Sequence, residues 1–435
     1  MKLENPPKIN FATLDSVEMG LALYNGKYKD FLQKATNKYW YWSELKYQRN
    51  LPYDDAKKAW KLLKLYRTAN FKHIQFGLDK FSYFLTTDIQ KKLHDFDLSL
   101  MGGLYKNPIS EIDKKQYLQK SLLEEAIASS QMEGAATTTK VAVKMLKSER
   151  EPRNESEQMI FNNLRTINFI LSQADKDLTI DLIIELHEIM TVKTSAESCA
   201  GSFRKKAIFV KDTITGETIH TAPYFEELEY LMSDFCDFAN AEEPFVHPIV
   251  KASILHFMIG YIHPFEDGNG RTARALFYWF LIKKGYVLMK NISISKAILK
   301  TRRQYDKAFL KTEKDNNDLT YFIIYSIKTL NTAFENLLKY RDKKKNEAEQ
   351  QQLMAYKLEQ KGLNKRQASL IAYLYAKKDA EMNLTSFAEK HDVVRQTARR
   401  DINELKKIAL IKEEKDGRNV YFSIVSKEKV EHYLY

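Results

Sequence analysis

Apolar and aromatic positions recur at helical spacing along most of the chain, a few short stretches alternate as strands do, and no internal repeat is present. The segment YWYWSELKYQRNLPYDDAKKAWKLLKLYRTANF carries this spacing, so residues 1–105 predict an N-terminal helical domain with Trp40 and Trp42 as core or interface aromatics. A second helical block runs from about Gln116 to Tyr340. It is interrupted by KKAIFVKDTITGETIHTAP, where β-branched runs at Ile208–Val210 and Thr218–Thr221 flank a Thr-Gly turn and predict a β-hairpin over 207–221. The stretch YRDKKKNEAEQQQLMAYKLEQKG, charged and Gln-rich, reads as a helical linker over 338–362.

Residues 363–435 follow a different logic. A short helix around Thr385–His391, a turn and an amphipathic helix over Arg395–Lys407 have helix-turn-helix spacing, and ALIKEEKDGRNVYFSI alternates around an Asp-Gly turn as a two-stranded wing. The order resembles a winged helix-turn-helix domain. Ile402 and Leu405 face its predicted core, while Arg395, Gln396, Arg399 and Arg400 reach outward from the second helix, where contacts to DNA bases and phosphates come from. Domains of this kind also dock proteins, so the resemblance speaks for fold more than for DNA.

Composition narrows the classes. A chain of 435 residues predicts two or three domains. The formal net charge is +12, and 21 Lys and Arg against 15 Asp and Glu from Arg341 to Tyr435 place half of the excess in the tail, which argues for a nucleic-acid partner there, with a well-solvated surface as the alternative that charge alone does not decide against. Two cysteines, Cys199 and Cys236, and no apolar window near 18 residues argue against a disulfide framework and a membrane span, and predict a reducing cytoplasm. The opening MKLENPPKINF lacks the form of a signal peptide.

The densest chemistry lies in HPFEDGNGRTAR, residues 263–274, directly after the apolar run IVKASILHFMIGYI. Pro264 disfavours a helical His263, so the preceding helix should end there and leave the imidazole at a loop mouth. The next helix should start near Gly270 and stop at Lys283 and Lys284, with Gly285 as its cap. Gly268, Asn269 and Gly270 then sit at a helix N-terminus, a ready anion site. Arg271 and Arg274 share one face of its first turn, where the macrodipole disfavours cations; a polyphosphate explains that violation. Asp267 offers a hard oxygen ligand for Mg²⁺, and His263 has a pKa suited to taking a proton from an attacking hydroxyl.

Other readings of these letters are weaker. GxxxxGK[ST] is absent, Gly268 and Gly270 lack the third glycine of a dinucleotide fingerprint, and His247, His256 and His263 have no cysteine beside them to complete a zinc set, with His256 read as a core histidine. Glu266 reads as solvated, and a purely structural loop is the remaining alternative.

HPFEDGNGRTAR matches the HPFx[DE]GNGRxxR signature of the Fic family, and HPIVKASILHFMIGYI also resembles that family. The resemblance covers roughly residues 106–337. It implies a mainly α fold, with a Fic helical core bearing a β-hairpin flap between the N-terminal helical domain and the C-terminal winged helix. It also implies transfer of AMP from ATP to a Ser, Thr or Tyr hydroxyl of a protein, the chain itself included. By the same resemblance His263 is the base, Asp267 holds Mg²⁺, and Gly268, Asn269, Gly270 and Arg271 meet the phosphates. Arg274 takes the γ-phosphate, Phe265 anchors the loop, Tyr305 lies near the nucleotide pocket, and the flap pairs with the target's backbone.

SLLEEAIASSQMEG, residues 121–134, reads as an amphipathic helix closed by Gly134, with Glu133 misplaced at the negative end of the dipole. Ser129, Glu133 and Gly134 resemble the [ST]xxxE[GN] inhibitory motif of Fic proteins, in an inhibitory helix over 119–134. The resemblance implies that Glu133 pairs with Arg274 and blocks γ-phosphate binding, and in some relatives such a Glu also orients water to remove AMP. The leading expectation is an autoinhibited protein adenylyltransferase; UMP or phosphocholine donors, and a DNA-binding regulator whose Fic core senses nucleotide, are the alternatives. Residues 1–105 have three readings: docking a target, forming a homodimer or bracing the core.

Overall fold

The computed structural model describes residues 3–9, 26–49, 51, 55–101, 111–211, 216–376, 380–416 and 419–435. Thr215 of the expected hairpin turn and Gly417 of the expected wing turn lie outside them. The chain divides into two compact units, Met1–Leu337 and Leu338–Tyr435.

In the first unit, helices α1 (Gly26–Asn37) and α2 (Ala56–Thr68) bring an aromatic cluster to the interior. Trp40 and Trp42 are both buried there, with Trp42 packed edge-on against Trp60. The same cluster takes in Leu310 and Tyr321, so the first hundred residues share a core with helices much later in the chain. Where helical periodicity was expected throughout, KHIQFGLDKFSY instead forms the antiparallel pair β1 (Lys72–Phe76) and β2 (Asp79–Tyr83). Its buried residues, Phe76, Phe81 and Tyr83, and the left-handed Gly77 at its turn (φ 57°) are what strand and turn require.

Charged groups buried in this core are paired, as their desolvation demands. Lys64 lies 3.0 Å from Asp315 and 3.7 Å from Asp318, Tyr39 donates to Asp318 at 2.7 Å, and Arg67 donates to the Tyr321 hydroxyl at 3.1 Å. Removing one partner strands the others in low dielectric. Asp318→Ala is therefore expected to cost about 3–5 kcal/mol, read as a marked fall in the thermal unfolding midpoint; an unchanged midpoint would contradict the pairing.

The helices that carry the motif follow: α3 (Glu111–Met132), α4 (Glu155–Ser172), α5 (Ile180–Thr191), α6 (Pro248–Ile262) and α7 (Asn269–Lys283), with the hairpin β3 (Phe209–Lys211) and β4 (Thr218–Thr221) between α5 and α6. Helix α6 is apolar on nearly every face, as a central helix must be, and α7 packs along it. Two further helices, α8 (Arg302–Lys314) and α9 (Thr320–Gln360), follow α7 in the chain, and α9 ends in the second unit.

That unit contains α10 (Lys365–Ala376), α11 (Leu384–Lys390), α12 (Arg395–Lys407), α13 (Lys427–Leu434) and the three-stranded sheet β5 (Met382–Asn383), β7 (Asn419–Ile424), β6 (Ile411–Asp416) in that spatial order. Ile402 and Leu405 are buried in its core, and Arg395, Gln396, Arg399 and Arg400 are exposed on α12. No helix among the described residues is long and apolar enough to cross a membrane.

Candidate active site

Helix α6 ends at Ile262, and His263 caps it in the left-handed region (φ 52°, ψ 57°). Such a conformation costs about 1–3 kcal/mol for a residue with a Cβ and persists only where the surroundings impose it. Here Arg204 imposes it: its Nε donates to the His263 carbonyl at 2.8 Å, and its backbone N–H donates to Pro264 at 2.9 Å. The imidazole Nδ1 lies 3.2 Å from the Gly260 carbonyl, so Nδ1 carries the hydrogen and Nε2 keeps its lone pair. Burial lowers the His263 pKa, with His220 and Arg204 adding to the shift, so the ring is neutral at neutral pH.

The loop is locked from inside. Phe265 is fully buried, and the Asn269 side chain accepts from the Phe265 N–H (2.9 Å) and donates to its carbonyl (2.8 Å). The Asn269 amide is thus used within the loop, which leaves backbone N–H groups to face an anion. Helix α7 starts at Asn269, one position before the expected start, and Gly268 caps it at φ 84°, where a Cβ would press on the His187 ring at 3.4 Å.

His187 is a residue that the sequence did not single out. On α5, its ring stacks on Phe265 with centroids 3.8 Å apart; it accepts from Gly201 at Nδ1 (3.2 Å) and donates from Nε2 to the Asp267 carbonyl (3.0 Å). Burial lowers its pKa and keeps it neutral, which suits one donor and one acceptor. It fixes the backbone from which the half-exposed Asp267 carboxylate projects.

The arginines are both buried. Arg271 donates to Asp267 Oδ2 at 2.7 Å and to the Met190 carbonyl at 3.3 Å, and its Nε has no partner among the described residues. Arg274 donates from Nε to Ser129 Oγ (2.8 Å) and from Nη2 to the Ser129 carbonyl (3.0 Å) and Glu133 Oε1 (2.9 Å), while its Nη1 is likewise unpartnered. These open donors at a helix N-terminus fit a polyanion.

Glu133 follows the last residue of α3, and Gly134 turns the chain at φ 97°. Burial pushes its carboxyl up, but the charge and hydrogen bond of Arg274, with Arg302 and Arg271 farther off, outweigh burial and hold it below the usual carboxylate range. Its Oε1 approaches so closely that a Cβ on Gly270 would stand 2.3 Å away. Two turns upstream, buried Glu125 accepts from Tyr278 (2.8 Å), Ser293 (2.9 Å) and the Ser295 N–H (3.0 Å), which fixes α3 against α7.

The three histidines weighed for zinc are apart. His247 bonds Asp97 at 3.1 Å, and His256, pushed down to about 3 by burial and Arg274, bonds the Tyr305 hydroxyl at 3.0 Å. No group of three His, Cys, Asp or Glu among the described residues is placed to hold a metal. Tyr305 faces the interior, with the Arg302 guanidinium 5.7 Å from its ring. Glu266 is exposed, as expected, and pairs at the surface with Lys206 at 2.8 Å.

A Fic/DOC family model matches residues 177–281, a span that contains the His263 imidazole, the glycine-turned helix N-terminus and both arginines. The chain carries a Fic/DOC domain. It is 33% identical over 181 residues to the protein adenylyltransferase Fic of Nematostella vectensis, covering 41% of this chain and 40% of that protein. Its counterpart from Culex quinquefasciatus is 28% identical over 180 residues, covering 41% and 34%. The chain thus spans less than half the length of these relatives. Its fold is that of a Fic family protein from Desulfovibrio desulfuricans (TM-score 0.55, 17% identity, 79% of this chain and 98% of that one). A Fic-1 fragment from C. elegans shares the fold (TM-score 0.52, 18% identity, 76% and 91%).

Proposed function

We propose that the chain transfers AMP from ATP to a hydroxyl side chain of a protein, and that Glu133 holds this activity off. The supporting observation is that His263 at the end of α6, the glycine turn and two arginines on the first turns of α7 lie within twelve residues around one helix N-terminus, with Arg274 already bonded to Glu133 at 2.9 Å. The target hydroxyl oxygen bonds to the α-phosphorus, the bond from that phosphorus to the bridging oxygen of the β-phosphate breaks, and pyrophosphate leaves with the electron pair. His263 Nε2 takes the hydroxyl proton. The first N–H groups of α7 and Arg271 hold the phosphates, and Arg274 meets the γ-phosphate once Glu133 has swung away. Asp267, whose carboxylate is half-exposed, is the residue that would hold Mg²⁺, and the ion would supply charge neutralisation on the phosphates. Tyr305 enters as a wall behind Arg302. A cytoplasmic setting accords with the two unpaired thiols, Cys199 and Cys236.

Intact-mass analysis of Glu133→Gly incubated with Mg²⁺ and labelled ATP, UTP or CDP-choline identifies the transferred group. An added AMP, from ATP alone, is expected on the chain or on a lysate protein; no adduct from any donor would remove the transferase reading. Because the shift at His263 lowers its pKa, the base stays competent above that lowered value. The acid limb of kcat/KM should therefore fall below the ordinary histidine value, and a limb at or above it would contradict a buried base.

A second reading rests on α12, where Gln396, Arg399, Arg400, Asn403, Lys406 and Lys407 line an open groove. It makes the second unit a winged helix that binds double-stranded DNA, tested by a salt-dependent mobility shift that Arg399→Ala plus Arg400→Ala should abolish.

A further inference from the structure

The last carbonyls of a helix have no partners within it and lie at the negative end of its dipole. At the end of α6, four successive carbonyls are taken up from the hairpin side. His220 Nε2 lies 2.8 Å from the Tyr261 carbonyl, and Arg204 reaches those of Ile262 (3.3 Å), His263 (2.8 Å) and Pro264 (2.9 Å, through its backbone N–H). Arg204 also holds both feet of the hairpin, donating to Lys206 (2.9 Å) and Pro223 (2.6 Å). His220 belongs to β4 itself, and its Nδ1 lies 2.7 Å from Glu313 Oε2 on α8. Both partners of this buried imidazole are acceptors, so both ring nitrogens can donate only when the ring is cationic.

We infer that His220, held between Glu313 and the Tyr261 carbonyl, is a positioning residue, a charged peg that pins the flap strand to the backbone two residues before His263. The peg fixes where a strand edge stands relative to the imidazole Nε2. A target segment laid along that edge would then bring its hydroxyl to the base in register, and a misplacement of about 1 Å costs on the order of 100-fold in rate. The consequence for rate rests on the AMP-transfer reading; the peg itself does not.

The groups facing His220 are Glu313 from α8, the Tyr261 ring and carbonyl from α6, Arg204 at the foot of the hairpin, and His263. Tyr261 is itself tied by its hydroxyl to Asp79 on β2 at 2.8 Å. Burial opposes the charge on His220, but the hydrogen bond and charge of Glu313, with the Tyr261 carbonyl, outweigh it and raise its pKa. The peg is accordingly complete below the ordinary histidine value and loses one hydrogen bond as pH rises through the raised one.

Amide hydrogen exchange on the full chain tests the peg without reference to activity. In His220→Phe, peptides from 207–211 and 216–222 should exchange about tenfold faster than in wild type, with His220→Gln between the two and α7 peptides unchanged. In wild type, flap exchange corrected for intrinsic rates should rise as the pH climbs above the ordinary histidine value and through the raised one. Glu313→Gln should already be loose at the lower pH and show no such rise. Equal flap exchange in wild type and His220→Phe would overturn the inference. In the Glu133→Gly background, His220→Phe should lower AMP incorporation into protein about tenfold or more while ATP affinity changes less than about twofold. Unchanged incorporation, or a matching loss of ATP affinity, would overturn the positioning role. If Glu133→Gly incorporates no nucleotide at all, the AMP-transfer reading falls and flap exchange still decides the peg.

Discussion

Glu133→Gly should raise AMP incorporation by about 10²–10³-fold over wild type, the scale associated with one preorganised charge-stabilising donor at a reacting centre. The wild-type arrangement explains the size. Arg274 is buried and gives three of its hydrogen bonds to Ser129 and Glu133, so a γ-phosphate arriving at α7 finds its cation already neutralised. It also meets a second anion, since Glu133 Oε1 lies almost against Gly270. Removing the carboxylate restores the Arg274 charge and opens the approach in one step. Glu133→Gln separates the two effects: it keeps the volume and removes the charge, and is expected to release only part of the activity. Single-turnover AMP incorporation with wild type, Gln and Gly variants gives the comparison, and equal rates for all three would mean that the pair does not gate the site.

Gly134 should survive such tests as the hinge of this contact. It turns the chain at φ 97°, and an added Cβ there meets nothing within 4 Å, so a substitution would strain backbone without clashing. Three anchors would hold α3 through a displacement of Glu133: Glu125 on Tyr278, Ser121 on the Asn291 carbonyl (3.0 Å), and Arg302 on the Met132 carbonyl (3.0 Å). The movable part is therefore short. Swinging one side chain at a helix end requires no repacking of the apolar core that surrounds α6 and α7.

How much of this was legible in the letters follows from how far apart the partners lie. The loop is contiguous, so Pro264, Gly270 and Gly285 marked its helix boundaries to within a residue, while Phe265 as an anchor came only from the family resemblance. Glu133 and Arg274 are separated by 141 positions, and only the resemblance to the inhibitory motif of Fic proteins joins them in the sequence. His187, Arg204 and His220 had no such pattern. Each sits in a segment whose local spacing suggests helix or hairpin and nothing more, and each acquires its role by meeting backbone carbonyls of the loop or of the last turn of α6, which carry no sequence signal. The β1–β2 hairpin was missed for a different reason: the dense aromatic helical spacing just before it masked a short alternating run, although Gly77 stood at its turn.

His263→Ala in the Glu133→Gly background should lower AMP incorporation by about 10²–10⁴-fold, the usual worth of a positioned general base. The structure makes this loss separable from a loss of binding. The His263 side chain supports none of the elements that hold phosphate: the loop is fixed by Asn269 on Phe265, by His187 on Asp267 and by Arg204 on the His263 carbonyl, all of which an alanine leaves in place. ATP affinity should accordingly change by less than about threefold, so the defect lies in kcat and not in KM for nucleotide. An alanine also relaxes nothing at the strained φ, since it carries the same Cβ, and the unfolding midpoint should move little. A fall in ATP affinity parallel to the fall in rate would instead assign His263 to phosphate binding and leave the proton without an acceptor at this site.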